Sequence, residues 1–163
     1  MKRTLYNLII FVILIAPLVW INCGTDNPNP LIDLSDPSTF PGTYKLISIT
    51  ETSGGDLPAG LTIQAGEPTS VTIEGITITF TITGTLTLTE NRYTFSLTVK
   101  IAITGFPEET ETETDTGTYS VSGSTMTIVS DDPGEGTQTF TISASASEMT
   151  LENDDGKLVF EKQ

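Results

Sequence analysis

The stretch ITITFTITGTLTLT, residues 76–89, alternates apolar and polar side chains with a period of two. Ile76, Ile78, Phe80, Ile82, Leu86 and Leu88 share one face, and threonine fills nearly every position of the other. Successive side chains of a β-strand point to opposite faces of the sheet, so this pattern describes a strand with one buried face and one wet face. Threonine suits both demands: its branched Cβ fits a pleated surface and its hydroxyl can face water. Gly84 interrupts the apolar face, which suits a bend in so long a strand.

The same period extends in both directions. YTFSLTVKI, residues 93–101, places Tyr93, Phe95, Leu97, Val99 and Ile101 on one face, and TYKLISIT, residues 43–50, alternates as well. No segment beyond residue 42 keeps helical spacing long enough to suggest a helix. Glu90-Asn91, Ser122-Gly123-Ser124 and Asp154-Asp155-Gly156 supply hairpin signals between alternating runs. The pattern predicts strands at 43–52, 76–89, 92–104, 117–122, 125–130, 137–143, 148–152 and 157–162. A short additional strand at 70–74 is expected before a bulge at Glu74-Gly75, where the alternation changes phase.

Eight sequential strands, each with one apolar face, can bury those faces by closing into an antiparallel up-and-down β-barrel, which also removes the sheet edges. A sandwich is the competing all-β arrangement. It usually needs crossover connections, and only residues 53–70 resemble one. In a meander the connections after odd strands, near 53–75, 105–116, 131–136 and 153–156, share one rim of the barrel. The tighter turns near 90–91, 123–124 and 144–147 share the other.

GTYKLISIT at 42–50, GTLTLTENRYTFSLTV at 84–99, GTYSVSGSTMTIV at 117–129 and the closing LVFEK at 158–162 together resemble a bacterial lipocalin-like domain. Tyr44 stands where that family carries a tryptophan, and Lys162 stands near the place of the late arginine that stacks on it. The resemblance implies a barrel over about 42–163 whose interior can hold a small hydrophobic ligand. Phe80, Tyr93, Phe95, Leu97, Tyr119, Met126, Phe140, Met149 and Phe160 are the inward candidates to line it. Small barrels may instead fill their interior with side chains, and the residues alone leave both arrangements open. The loop 53–70, with Leu57, Leu61 and Ile63 among glycines and prolines, is either a lid over the mouth or a surface insertion.

The chain begins MKRTLYNLIIFVILIAPLVWIN, two basic residues followed by an apolar run from about Leu8 to Ile21. That is the layout of a secretory signal, and the run is short for a membrane span of roughly 20 apolar residues. WINC, ending at Cys23, resembles the lipobox of bacterial lipoproteins, in which the cysteine is lipidated and becomes the mature N-terminus. Residues 1–22 are thus expected as a signal peptide, Cys23 as a palmitate-bearing anchor, and 23–41 as a tether. The prolines of GTDNPNPLIDLSDPSTFP, residues 24–41, favour an extended spacer reaching up to about 50 Å. The resemblance implies the bacterial cell envelope, with the outer membrane favoured by Gly24 after the cysteine. Cys23 is the single cysteine, so no intrachain disulfide is possible.

Lys2 and Arg3 belong to that leader, which leaves five basic against 21 acidic residues, a net of −16. So acidic a surface excludes nucleic acid, whose phosphates demand lysine and arginine stripes. The chain has no histidine, which removes histidine-based triads and the usual zinc ligands, and no glycine-rich phosphate loop opens a helix. An enzyme is therefore not expected, and a monomeric binding or envelope-surface module is. The alternative is a structural or adhesive β-domain with no small ligand. Acidic clusters at 107–115, 130–136 and 153–156 fall on the long-connection rim. Glu109, Glu111, Asp131, Asp132, Asp154 and Asp155 are there the candidates to bridge Ca2+, a hard cation that accepts six to eight oxygen ligands in loose geometry. No other cofactor is expected.

Overall fold

The computed structural model describes residues 39–53, 58–73 and 75–163. Cys23, the leader, most of the proline-rich tether and Leu57 lie outside the described residues. Ten strands follow in order: β1 Gly42–Glu51, β2 Thr62–Gln64, β3 Thr69–Ile73, β4 Ile76–Leu88, β5 Arg92–Ile103, β6 Glu109–Ser122, β7 Thr125–Ser130, β8 Thr137–Ala144, β9 Glu148–Glu152 and β10 Gly156–Lys162. Each of β4 to β10 pairs antiparallel with the next, β10 pairs with β1, and β1 pairs with β4. That last pairing, Gly42↔Leu88 through Lys45↔Thr85, closes an eight-stranded up-and-down barrel. The sandwich is excluded.

β2 and β3 lie outside the eight. Above Lys45 the seam between β1 and β4 splays open, and the two short strands fill it. β2 pairs with β1 through Ser48↔Gln64, and β3 pairs with β4 through Thr69↔Phe80. Ala65 bridges to Ile82 between them. The described part of 53–70 is therefore largely barrel wall rather than a lid, with Ile63 buried in the core. The bulge expected at Glu74-Gly75 involves Glu74, which lies outside the described residues; β3 and β4 on either side pair antiparallel, so the chain reverses between them. Ile73 pairs directly with Ile76, and Gly75 takes the positive φ of 82° that such a tight turn needs.

The second departure is larger. Residues 109–116, expected as loop, are strand, and β6 runs unbroken from Glu109 to Ser122. Thr110, Thr112, Thr114 and Thr116 continue the outward threonine face, and Thr98 and Thr112 hydrogen-bond across it through their hydroxyls at 2.8 Å. The acids fill the alternate positions. Glu109 lies opposite Ile101, Glu111 opposite Val99, Glu113 opposite Leu97 and Asp115 opposite Phe95. Directly opposed residues share a face, so this acidic row lies on the same side as the barrel interior. β7 pairs with β6 only from Gly117 onward, so the first half of β6 has a strand neighbour on one edge alone. Inward-pointing charge on such an edge discourages pairing with another molecule.

The end with the tight turns is solid. Tyr44 is 2 % exposed, and Phe40, Met126 and Phe160 are fully buried. The Tyr44 hydroxyl donates to the Phe40 carbonyl at 2.7 Å, and the Tyr119 hydroxyl donates to the Thr89 carbonyl at 2.7 Å. Burial, with Tyr119 nearby, raises the Tyr44 phenol to about 12. Lys162 Nζ sits 5.6 Å from the Tyr44 ring centroid and donates to the Thr39 carbonyl at 3.3 Å. The expected Tyr44–Lys162 pair is thus formed as a cation–π contact. β4 and β5 keep their register through Gly84↔Leu97. A Cβ there would stand 3.2 Å from Leu46 Cδ2, so the glycine makes room for Leu46.

Candidate functional site

The barrel is hollow at the end with the longer connections. A cavity of about 180 Å3 is floored by Leu86, Phe95, Leu97, Phe140, Leu158 and Phe160. The rings of Phe95 and Phe160 meet edge to face, with centroids 6.2 Å apart and planes at 84°. A smaller chamber of about 60 Å3 lies beside it, reaching Ile63, Phe80, Ile82 and Val99. Leu97, Phe140 and Leu158 line both and form the partition. All nine apolar candidates face the interior. Phe80, Tyr93, Phe95, Leu97, Phe140 and Phe160 line one or both spaces, whereas Tyr119, Met126 and Met149 are buried in the core without lining either.

One wall of the larger cavity is acidic. Glu113 and Asp115 reach it from β6, and Asp132 and Glu135 reach it from the β7–β8 connection. Glu113 and Asp132 are exposed as well, so the cavity meets solvent between the single-neighbour half of β6 and that connection. Asp115 is held firmly: it accepts from the Tyr93 hydroxyl and, at 2.6 Å, from the Ser130 hydroxyl. Burial pushes the Tyr93 phenol well above its ordinary range, and its bond to the Asp115 carboxylate adds to the rise. The Glu135 carboxyl is raised first by burial, then by the charges of Asp115, Glu113 and Asp132. No lysine or arginine lines this cavity.

The remaining acids are placed elsewhere. Asp131 pairs with Arg92 and accepts from the Thr116 hydroxyl at 2.9 Å, bonds that hold its carboxyl below the usual range. Glu109 and Glu111 are exposed on β6, and Asp154 and Asp155 sit in the β9–β10 turn. The six candidate calcium ligands are thus spread over three segments, and among the described residues no group of three or more acidic side chains is arranged to hold a metal ion. Glu113, Asp115 and Glu135 belong to the acidic clusters seen in the sequence, but the place of Glu113 and Asp115 on the cavity wall depends on β6 being a strand.

Asp155 makes a separate electrostatic feature. It is 7 % exposed and borders the smaller chamber with Glu51. Burial raises its carboxyl, and Glu51 and Asp154 raise it further. A carboxyl whose folded pKa lies above its unfolded one favours the folded state while protonated. That contribution is complete below about pH 4 and is lost as pH rises through the folded value. Asp155→Asn should therefore raise the melting temperature at pH 7 and change it little near pH 4. A gain of equal size at both pH values in thermal melts would show that charge is not the cause.

No family model matches the chain, and no curated protein does. Two solved structures are similar to it. One is a lipocalin-like protein from Bacteroides uniformis, 16 % identical, with a TM-score of 0.44 over 77 % of this chain and 99 % of the other. The second is an uncharacterized protein from Bacteroides eggerthii, 12 % identical, with a TM-score of 0.46 over 76 % of this chain and 99 % of the other. The fold is a closed, eight-stranded antiparallel up-and-down β-barrel. Its closure stands on the strand registers, and its cavity occupies the position at which small barrels admit a ligand.

Proposed function

We propose that this chain is a lipid-anchored binding protein of the bacterial cell envelope whose barrel takes a small, largely apolar ligand into the cavity above Phe95 and Phe160. The observation that carries the reading is the cavity itself. Interiors are packed to crystal-like density, and voids larger than a water are few. Here about 180 Å3 stays open at one end of a barrel whose other end is solid. A module that served only as a scaffold would gain stability by filling it. Native mass spectrometry of the protein isolated from its source tests this: a retained small molecule is expected, and a chain that never carries one speaks for a structural β-domain.

The anchor rests on the basic start, the apolar run and Cys23. The mature protein should lack residues 1–22, incorporate radioactive palmitate and fractionate with membranes. Cys23→Ala should abolish labelling and shift the protein from the membrane to the soluble fraction. A full-length Cys23→Ala protein that stayed in membranes would identify the apolar run as the anchor instead.

A further inference from the structure

The cavity that carries the binding role is chemically lopsided. Its floor is aromatic and aliphatic, while Glu113, Asp115, Asp132 and Glu135 stand on one wall with no lysine or arginine among the lining residues. Two of the basic side chains are committed elsewhere: Arg92 holds Asp131, and Lys100 holds Glu108 at 2.9 Å. Asp115 and Glu135 are partly buried beside the apolar floor, where repulsion between like charges strengthens as water is excluded. The rise in the Glu135 carboxyl, driven by that burial and by the other three acids, has the same origin.

We infer that the ligand of this cavity is a small amine, a cation whose apolar body lies on Phe95 and Phe160 and whose ammonium group faces Glu113, Asp115 and Glu135. The inference rests on the reading of the barrel as a binding protein and specifies its ligand. An anion would add a fifth negative charge to the wall. A neutral apolar molecule would cover the floor and leave the four carboxylates further desolvated without a partner, which is unfavourable. Only a cation relieves the repulsion while the same floor is covered. The space sets the size. An apolar cavity of about 150 Å3 holds one benzene ring, so about 180 Å3 suits a body of one ring or a short alkyl chain. Asp115, fixed by Tyr93 and Ser130, offers a preorganised carboxylate for the head group. The edge-to-face rings of Phe95 and Phe160 offer the apolar seat.

Calorimetric titration of the intact protein at pH 7 with four probes tests this: benzylamine, benzyl alcohol, benzoate and methylamine. Benzylamine should bind at least about tenfold more tightly than benzyl alcohol, with benzoate and methylamine weaker than either. Glu113→Gln and Glu135→Gln should each weaken benzylamine several-fold while benzyl alcohol binds no more weakly than before, so the preference for the amine shrinks. If benzyl alcohol or benzoate binds as well as benzylamine, the cavity is a binding site and the amine assignment is wrong. Methylamine equal to benzylamine would reduce the effect to a generic acidic surface, which also overturns it. If none of the four binds, the small-ligand reading of the barrel falls, and this inference falls with it.

Discussion

Replacing Phe160 by alanine should cost about 3–5 kcal/mol in a urea melt, the range for removing a large aromatic side chain from a core. Phe160 is fully buried at the middle of β10, where it pairs with Leu46 of β1 and Met149 of β9. Its ring also packs against Phe95 across the cavity floor. The loss is felt at the β1–β10 seam and at the cavity floor together. Against a typical total of about 5–15 kcal/mol, it would leave the domain marginal. Phe95→Ala should cost less, because that ring is half-buried and already borders open space. Thr94→Ala, on the outer face, should cost under about 1 kcal/mol. Equal losses at residues 94 and 95 would place the strand in the wrong register, since a slip of one residue exchanges its faces.

Gly117→Ala is the second substitution with a large expected effect, and its mechanism is opposite. A Cβ at residue 117 would stand 2.1 Å from the Val129 carbonyl oxygen and 2.7 Å from Tyr93 Cε1. The oxygen belongs to the neighbouring strand's backbone, so β7 must move away from β6 at the point where their pairing begins. Overpacking of this kind costs about 1–3 kcal/mol. The displaced Tyr93 ring would also pull its hydroxyl from Asp115. Stability measured by denaturant titration should fall by that amount. Ala substitution at Gly123, in a turn where a Cβ meets nothing within 4 Å but φ is 58°, serves as a backbone-strain control and should cost about 1–2 kcal/mol. A Gly117→Ala protein as stable as the parent would show that β6 and β7 do not meet as closely as described.

Most of the barrel could be read from residue order because the inward positions of β4, β5 and β7 to β10 are mostly apolar at a period of two, as are those of β1 up to the register shift after Leu46. β6 shows where that signal ends. From Glu109 to Asp115 its inward positions carry acids, so hydrophobicity marks no strand there. The surviving signal was threonine, repeated at 110, 112, 114 and 116 with the period of the outer faces of β4 and β5. The acids were assigned to loops, and the cavity wall they build was invisible without the strand. The reversal between β3 and β4 is hidden in the sequence for a related reason. A change of phase looks alike whether it comes from an extra residue or from a turn, and only pairing partners distinguish the two. The apolar lining was legible as inward-facing, but which of those side chains border space depends on how β6 and β7 part.

The first and last strands of the barrel are neighbours in its wall. β1 is hydrogen-bonded to β10, and Lys162 lies over the ring of Tyr44. Closure is therefore the most non-local event available to this polypeptide. Until the final strand exists, β9 and much of β1 each lack a partner along one side. Topologies dominated by distant pairings fold in milliseconds to seconds, well behind those rich in local contacts. During synthesis the hairpins from β4 to β9 can form in turn, but the completed cylinder must wait for residues 156–162. The nascent molecule accordingly passes through an open, edge-bearing intermediate that persists until β10 has been made and has docked between β9 and β1.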